Sequence, residues 1–360
     1  MDFTLSEDQS ALAELAAKIL SDLCPPDALR AHEQRGDPVF EKAWATLAES
    51  GLLGIALPEA VDGGGYGILE AALVAEQIGR HVVPVPYLPT VAAAIALAGI
   101  DADAHGALLR QVAAGTAVVA VATEPGAITG GQPSTSADAD GRLTGDRHSV
   151  VWAAQADHLL VDAATDDGTV GLYLVPAGPA VAIVPEDAMW GLPQATVELA
   201  GAAAIKVGDA ADVVRLVEIS TALSCAAVAG LCEGAIRITA TYVSEREQFG
   251  VRIGTFQAVG QRMADAYIDT QGVHLTARQA AWRLGAGVPA TEQLHIAKFW
   301  AADGGHRVAH AAQHLHGGIG MDVDYPIHRY FRWIKVMELQ LGSGTEHLRS
   351  LGARLAAEPV

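Results

Sequence analysis

The sequence predicts an α+β chain in three consecutive parts: a helical segment at 1–115, a β-rich segment at 116–205 and a helical bundle at 206–360. Three observations carry this. Apolar residues recur at helical spacing in the first and last parts. Between them, short β-rich runs are separated by Gly, Pro and Asp. The 360 residues, at roughly 100–200 per domain, allow two or three domains with a sizeable core.

Ser6 and Gln9 form a capping box ahead of the stripe Leu12, Leu15, Ile19 and Leu23. Pro25 and Pro26 stop that helix. A second helix fits 38–50, closed by Gly51, and a Gly-rich connector follows. Helical patterns resume at 68–80 and 87–114. The runs "TAVVAVATEP", "HLLVDAA", "GTVGLYLVP" and "ATVELAG" read as strands of a small antiparallel domain, and the polar stretch 126–142 as a loop. Four long helices at 209–244, 255–283, 289–315 and 324–357 complete the chain as a bundle.

Composition narrows the function classes. Hydrophobic residues make up 51% but aromatics only 5%, which suits packed helices of small aliphatic side chains. A net charge of −19 repels phosphate backbones and anionic membranes, so neither nucleic acid nor a membrane is an expected partner. A small anionic ligand can still bind where basic groups are placed locally. Cys24, Cys225 and Cys232 form no CxxC pair and read as reduced thiols, not a zinc site. The acidic start and the lack of 18 uninterrupted apolar residues make a cytoplasmic protein the expectation.

Two stretches carry ligand chemistry. In "REQFGVRIGTFQAVGQRMADAYID" (246–269), Arg246 offers a planar fork of donors that suits a diphosphate. A lone Arg there would more simply pair with a nearby Glu. In "AAQHLHGGIGMDVDYPIHRYFR" (311–332), Gln313 precedes Gly317, Gly318 and Gly320, which let a ligand approach the backbone closely or simply cap a helix. His314 and His316 form an H-x-H pair without a third ligand, so no metal site is expected.

Together with "ATEPG" (122–126), these stretches resemble the acyl-CoA dehydrogenase family. The resemblance spans essentially the whole chain. It implies a helical N-terminal domain, a middle β-barrel and a C-terminal four-helix bundle, with FAD as cofactor and an acyl-CoA thioester as substrate. In similar enzymes the Arg and Gln reach across a dimer interface to the ADP half of the neighbour's FAD. Carried over by position, that role falls on Arg246, Gln248, Phe249, Ile253, Phe256, Gln257, Gln313, Gly317 and Gly318, with Thr345 in the last motif. On the flavin-ring side the family pattern is T-E-x-x-x-G-S-D, then Trp-x-(Ser/Thr). Thr123 and Glu124 match, the Ser-Asp is absent, and Trp152 is followed two residues on by Ala154.

The family's reaction needs a carboxylate to remove the α-proton while hydride leaves to the flavin. The family places that carboxylate immediately before a Gly-Thr, which here puts Ser343 before Gly344 and Thr345. A minority places it 26 residues before the motif Arg, which here gives Ser220. A neutral serine is too weak a base without an activator. Glu218 and Glu346 are the nearest acids, each of which also fits a solvated helix charge. The pattern resembles the base-lacking subunit of heterotetrameric actinobacterial steroid side-chain dehydrogenases, which serves a homologous partner. The alternatives are a self-sufficient homotetramer using Glu218 or Glu346, and a binding or scaffold protein on the same fold.

Overall fold

The computed structural model describes residues 3–124, 128, 131–189 and 191–357. Twelve α-helices run in order: α1 (Glu7–Leu23), α2 (Pro26–Arg35), α3 (Glu41–Glu49), α4 (Ile68–His81), α5 (Tyr87–Asp101), α6 (Gly106–Ala113), α7 (Ala210–Glu245), α8 (Gln257–Gly285), α9 (Thr291–Phe299), α10 (Gly305–His316), α11 (Ile327–Met337) and α12 (Gly344–Ala357). The strands are β1 (Val119–Ala122), β2 (Ser136–Ala137), β3 (Arg142–Val151), β4 (His158–Ala164), β5 (Val170–Pro176), β6 (Val181–Glu186), β7 (Gln194–Ala203), β8 (Ile205–Asp209), β9 (Glu247–Gln248) and β10 (Val251–Arg252). The helix–sheet–helix order is as the sequence predicts. In space the chain forms two compact units, each discontinuous in sequence: 1–36, 72–83 and 222–360 in one, and 37–71 with 84–221 in the other.

The second unit holds one sheet in the order β6-β7-β3-β2-β4-β5-β8, with β1 paired to β4. It is mixed, not antiparallel throughout: β1 and β2 both run parallel to β4. No tight hairpin fixes the direction of β1, because it follows a helix and pairs with a strand distant in sequence. Helix α5 is tied to β1 by reciprocal bonds. The Thr90 hydroxyl donates to the Val119 carbonyl at 3.2 Å and accepts from the Val119 N–H at 3.3 Å. The helix expected over 87–114 is two, because the Asp101 carboxylate accepts from the N–H groups of Asp103 and Ala104 and turns the chain. The stretch 126–142 is partly ordered into β2 and a turn at 138–141, while Pro125–Ala127, Thr129 and Gly130 lie outside the described residues.

The helical unit begins with the expected capping box. Gln9 N–H donates to Ser6 Oγ at 3.2 Å, and Ser6 N–H donates to Gln9 Oε1 at 3.0 Å. Pro26 also starts a helix, which a reading of Pro only as a stop misses. It occupies the first helical position, where its missing N–H costs nothing. Glu33 on that helix then receives a two-pronged ion pair from Arg329, both contacts at 2.7 Å. The helix expected over 289–315 carries a π-turn at Trp300–Gly304, and Trp300 packs against Gly272 of α8. The helix expected over 324–357 breaks at 338–343, where Leu341 and Gly342 have φ of 59° and 95°.

Helix α7 is the spine of this unit. Its apolar window is long enough to span a membrane by length and composition, yet 89% of that window is buried, which makes it a core helix. Helix α4 approaches it at backbone distance. A Cβ on Gly230 would lie 1.8 Å from the Glu76 carbonyl oxygen, and one on Gly79 would lie 1.9 Å from that of Ala227. Only glycine fits at either place. Gly230→Ala is expected to cost about 3 kcal/mol, since two rigid backbones must separate. A denaturant midpoint unchanged from the parent protein would show that the helices part freely.

Candidate functional site

The motif at the end of α7 is built as a presentation platform. Arg246 follows the last helical residue, and its N–H still donates to the Tyr242 carbonyl at 2.8 Å. The hairpin β9–β10 turns on Phe249 and Gly250, with φ of 55° and 79°. Two positive values in a two-residue loop match the hairpin turn that favours Asn-Gly. A bulky aromatic there costs about 1–2 kcal/mol. Phe249 is nonetheless 93% exposed, so no packing within the chain offsets that strain. Among the described residues its ring meets the edge of Phe256, with centroids 6.4 Å apart. Ile253 N–H closes the platform on the Arg246 carbonyl at 2.8 Å. Gln248 and Gln257 are exposed beside it. Beneath lies a cleft of about 350 Å³ bounded by Val243, Ser244, Arg252 and Met263. The simple alternative for Arg246 does not hold: among the described residues its guanidinium has no ion-pair partner, despite Glu245 and Glu247 beside it.

The second motif lies close to the first. His316, the last residue of α10, stacks on Tyr242 with ring centroids 4.6 Å apart. Gly317 follows with φ 59°, which needs glycine. A Cβ at Gly317 or Gly318 would meet nothing within 4 Å, so both face open space. Gln313 is half-buried: its amide lies against Gly320 and its Oε1 is buried. His314 is the exposed side chain on that turn. Gln313 Oε1 and His316 Nε2 are buried acceptors without a partner among the described residues. With the unpaired Arg246 and the open glycines, this set fits a nucleotide: a cation for the diphosphate, and acceptors for amine or hydroxyl donors.

The flavin-ring side looks different. Glu124 is held by Arg147 at 3.0 Å, and its N–H donates to Asp162 at 3.0 Å. Arg147 is buried, pairs with Asp162 at 2.8 Å and donates to the Ala122 carbonyl at 3.0 Å. Thr123 is half-buried at the end of β1. Trp152 is 2% exposed in a left-handed conformation, so its ring belongs to the core and offers no platform, and Ala154 is an exposed turn residue. The residues that would replace the absent Ser-Asp lie largely outside the described residues.

The structure explains Ser343. It caps α12: its N–H and hydroxyl donate to Glu346 Oε2 at 2.6 and 2.9 Å, and Glu346 N–H returns to Ser343 Oγ at 3.4 Å. Those bonds hold the Glu346 carboxyl below the usual range, which makes it a worse base. Thr345 is exposed in the first turn. Ser220 spends its hydroxyl on the Leu216 carbonyl at 2.8 Å. Glu218 is not a fully solvated charge: its side chain is 13% exposed and lies 3.8 Å from Arg215.

Behind Ser343 is a buried polar group that sequence reading missed, because each member looked like an isolated helix residue. His347 Nε2 sits 2.8 Å from the Leu341 carbonyl, which can only accept, so that nitrogen carries the proton. His347 Nδ1 then accepts from His295 Nδ1–H at 2.9 Å. Lys298 donates to the carbonyls of Met337 and Glu338, both at 3.1 Å, and burial pulls its ammonium down to about 8. Together they hold the strained loop at 338–343.

The chain belongs to the acyl-CoA dehydrogenase family, whose members are flavin oxidoreductases acting on a CH–CH bond. The family's N-terminal domain profile matches residues 6–117, and its C-terminal domain profile matches 214–356. Acyl-CoA dehydrogenase FadE27 of Mycobacterium tuberculosis is 38% identical over the full length of both chains. A solved chain of the ChsE4–ChsE5 complex from the same organism superposes with a TM-score of 0.93 at 38% identity, covering 100% of each chain. A chain of the Tcur3481–Tcur3483 steroid ACAD, a G363A variant, also gives 0.93 at 38% identity, covering 98% of this chain and 99% of that one.

Two outcomes follow. Burial and the neighbouring His347 hold His295 at about 4, against its ordinary 6.5. The unfolded chain therefore binds more protons in that window, so this stability is full above pH 6.5 and is lost as pH falls towards 4. Thermal melts are expected to drop between pH 7 and pH 5, more steeply than in a His295→Gln variant; equal slopes would clear this pair of the effect. Phe249→Asn creates the favoured Asn-Gly turn and is expected to stabilise the isolated chain by about 1 kcal/mol. A loss of stability in urea would mean the ring packs where none is seen.

Proposed function

We propose that this chain is the non-catalytic subunit of a heteromeric FAD-dependent acyl-CoA dehydrogenase, lending Arg246, Gln313 and the Gly317–Gly318 turn to the FAD of a homologous partner. The observation that carries it is the capping box at Ser343 and Glu346, which uses the family's base position to close a helix. The likeness to chains of a two-component complex and of a steroid dehydrogenase supports a bulky, steroid-type acyl-CoA as substrate and lipid degradation as setting.

When bound, the flavin would accept the β-hydride of the thioester. The residues of this chain do the rest of their part by position. Arg246 supplies charge to the diphosphate, held by bonds from its own backbone to Tyr242 and Ile253. Gly317 and Gly318 let the ligand approach the main chain. Phe249 and Phe256 present apolar surface at the junction. Ser343 has no acid–base role. Gln313, against Gly320 in the same turn, would add its amide to the ligand's hydrogen bonds.

The second reading, a self-sufficient homotetramer, finds its support in Glu218, a mostly buried carboxylate on α7 near the alternative base position. One experiment separates the two. The chain is purified alone and with the product of the adjacent reading frame. The expected result is that FAD and acyl-CoA oxidation appear only in the pair. Arg246→Ala should raise the Kd for FAD about 30-fold, the loss of one charge-assisted contact, and Glu218→Gln should leave turnover unchanged. Turnover by the lone chain, abolished by Glu218→Gln, would establish the homotetramer instead.

A further inference from the structure

Arg246 and Gly317 come from helix ends 71 residues apart in sequence, yet a shared ligand needs them at a fixed spacing. Neither does this alone. Arg246 is exposed, and Gly317 has only the flexibility of glycine. One turn before Arg246 stands Tyr242, and immediately before Gly317 stands His316. Their rings stack at 4.6 Å with planes 24° apart. The Tyr242 hydroxyl also points to the His316 carbonyl at 3.4 Å. Tyr325, from the loop after the glycine turn, closes on both rings, 6.2 Å from Tyr242 and 5.2 Å from His316. His316 cannot rotate freely, because it is 3% exposed and its Nδ1–H donates to the Ala312 carbonyl at 2.8 Å. Its Nε2 is thereby left a bare acceptor with no partner among the described residues.

We infer that Tyr242 and His316 are positioning residues: their stacked rings register the Arg246 turn against the glycine turn, so that one nucleotide ligand can engage both. The inference rests on the cross-subunit reading above and names the device that makes it work. The stack, not the hydroxyl, carries the spacing, since 3.4 Å is at the outer limit of a hydrogen bond. A positioning residue acts only through the group it positions. Its loss therefore matters where Arg246 is present and is nearly silent where Arg246 is gone.

The test is a double-mutant cycle on the flavin-loaded pair of subunits, reading the Kd for FAD and the melting temperature of each variant. Tyr242→Leu is expected to weaken FAD binding about tenfold in the parent background and less than about twofold with Arg246→Ala. Tyr242→Phe, which keeps the ring, should restore parental affinity. His316→Gln removes the other ring and should repeat the tenfold pattern, so it decides the matter if Tyr242→Leu does not assemble. Equal losses in both backgrounds would mark a purely structural role and overturn the inference, as would no loss in the parent. If Arg246→Ala alone leaves FAD binding unchanged, the cross-subunit reading fails, and this one with it. If Arg246→Ala weakens binding but the ring variants do not, only the positioning role fails.

Discussion

The helical unit depends on how closely one long helix can be approached. Helix α7 carries Ser220 towards one end and Arg246 just beyond the other. From Ala222 onward, it is seated on α4 by backbone contact at Gly79 and Gly230. A helix held only by side chains can slide by fractions of an ångström as rotamers adjust. A helix seated carbonyl against glycine cannot. The placement of Arg246, of Tyr242 one turn earlier, and of the buried thiols Cys225 and Cys232 follows from that seat.

Part of this was legible in the sequence because it rests on local rules. The Ser6–Gln9 cap and the helix–sheet–helix order needed only periodicity and capping chemistry, while the shared ligand of Arg246 and the glycine turn followed only from the family resemblance. The rest depends on contacts distant in sequence. Proline at 26 gives the same signal for stopping a helix and for starting the next one. The break at 338–343 has no proline, and its positive φ at Leu341 is held by His347 and Lys298, which neighbouring sequence does not reveal. Ser343 and Glu346 did satisfy the S-x-x-E rule for a cap. Comparison with the family's base position drew attention to what serine lacks and away from what it does.

The two halves of the family's chemistry are therefore treated differently in this chain. On the side proposed to face a partner, Arg246 has no ion-pair partner among the described residues and Phe249 keeps a positive φ. On the side that would serve the chain's own flavin, Glu124 is held by Arg147, Trp152 by the core and Ser343 by Glu346, while Asp162 Oδ2 has no partner among the described residues and Trp152 also has a positive φ. Unsatisfied groups and strained backbone persist in folded proteins where something outside the chain completes them.

The exposed Phe249 then has a consequence for the life of the protein in the cell. On the two-subunit reading, a large apolar ring held in water by a strained turn stays uncovered until the partner docks. Chains made in excess of that partner would keep this surface open, where chaperones, proteases and like surfaces on other copies compete for it. On the two-subunit reading, the amount of this chain that survives is set by the supply of its partner, and the two are best synthesised together and in equal number.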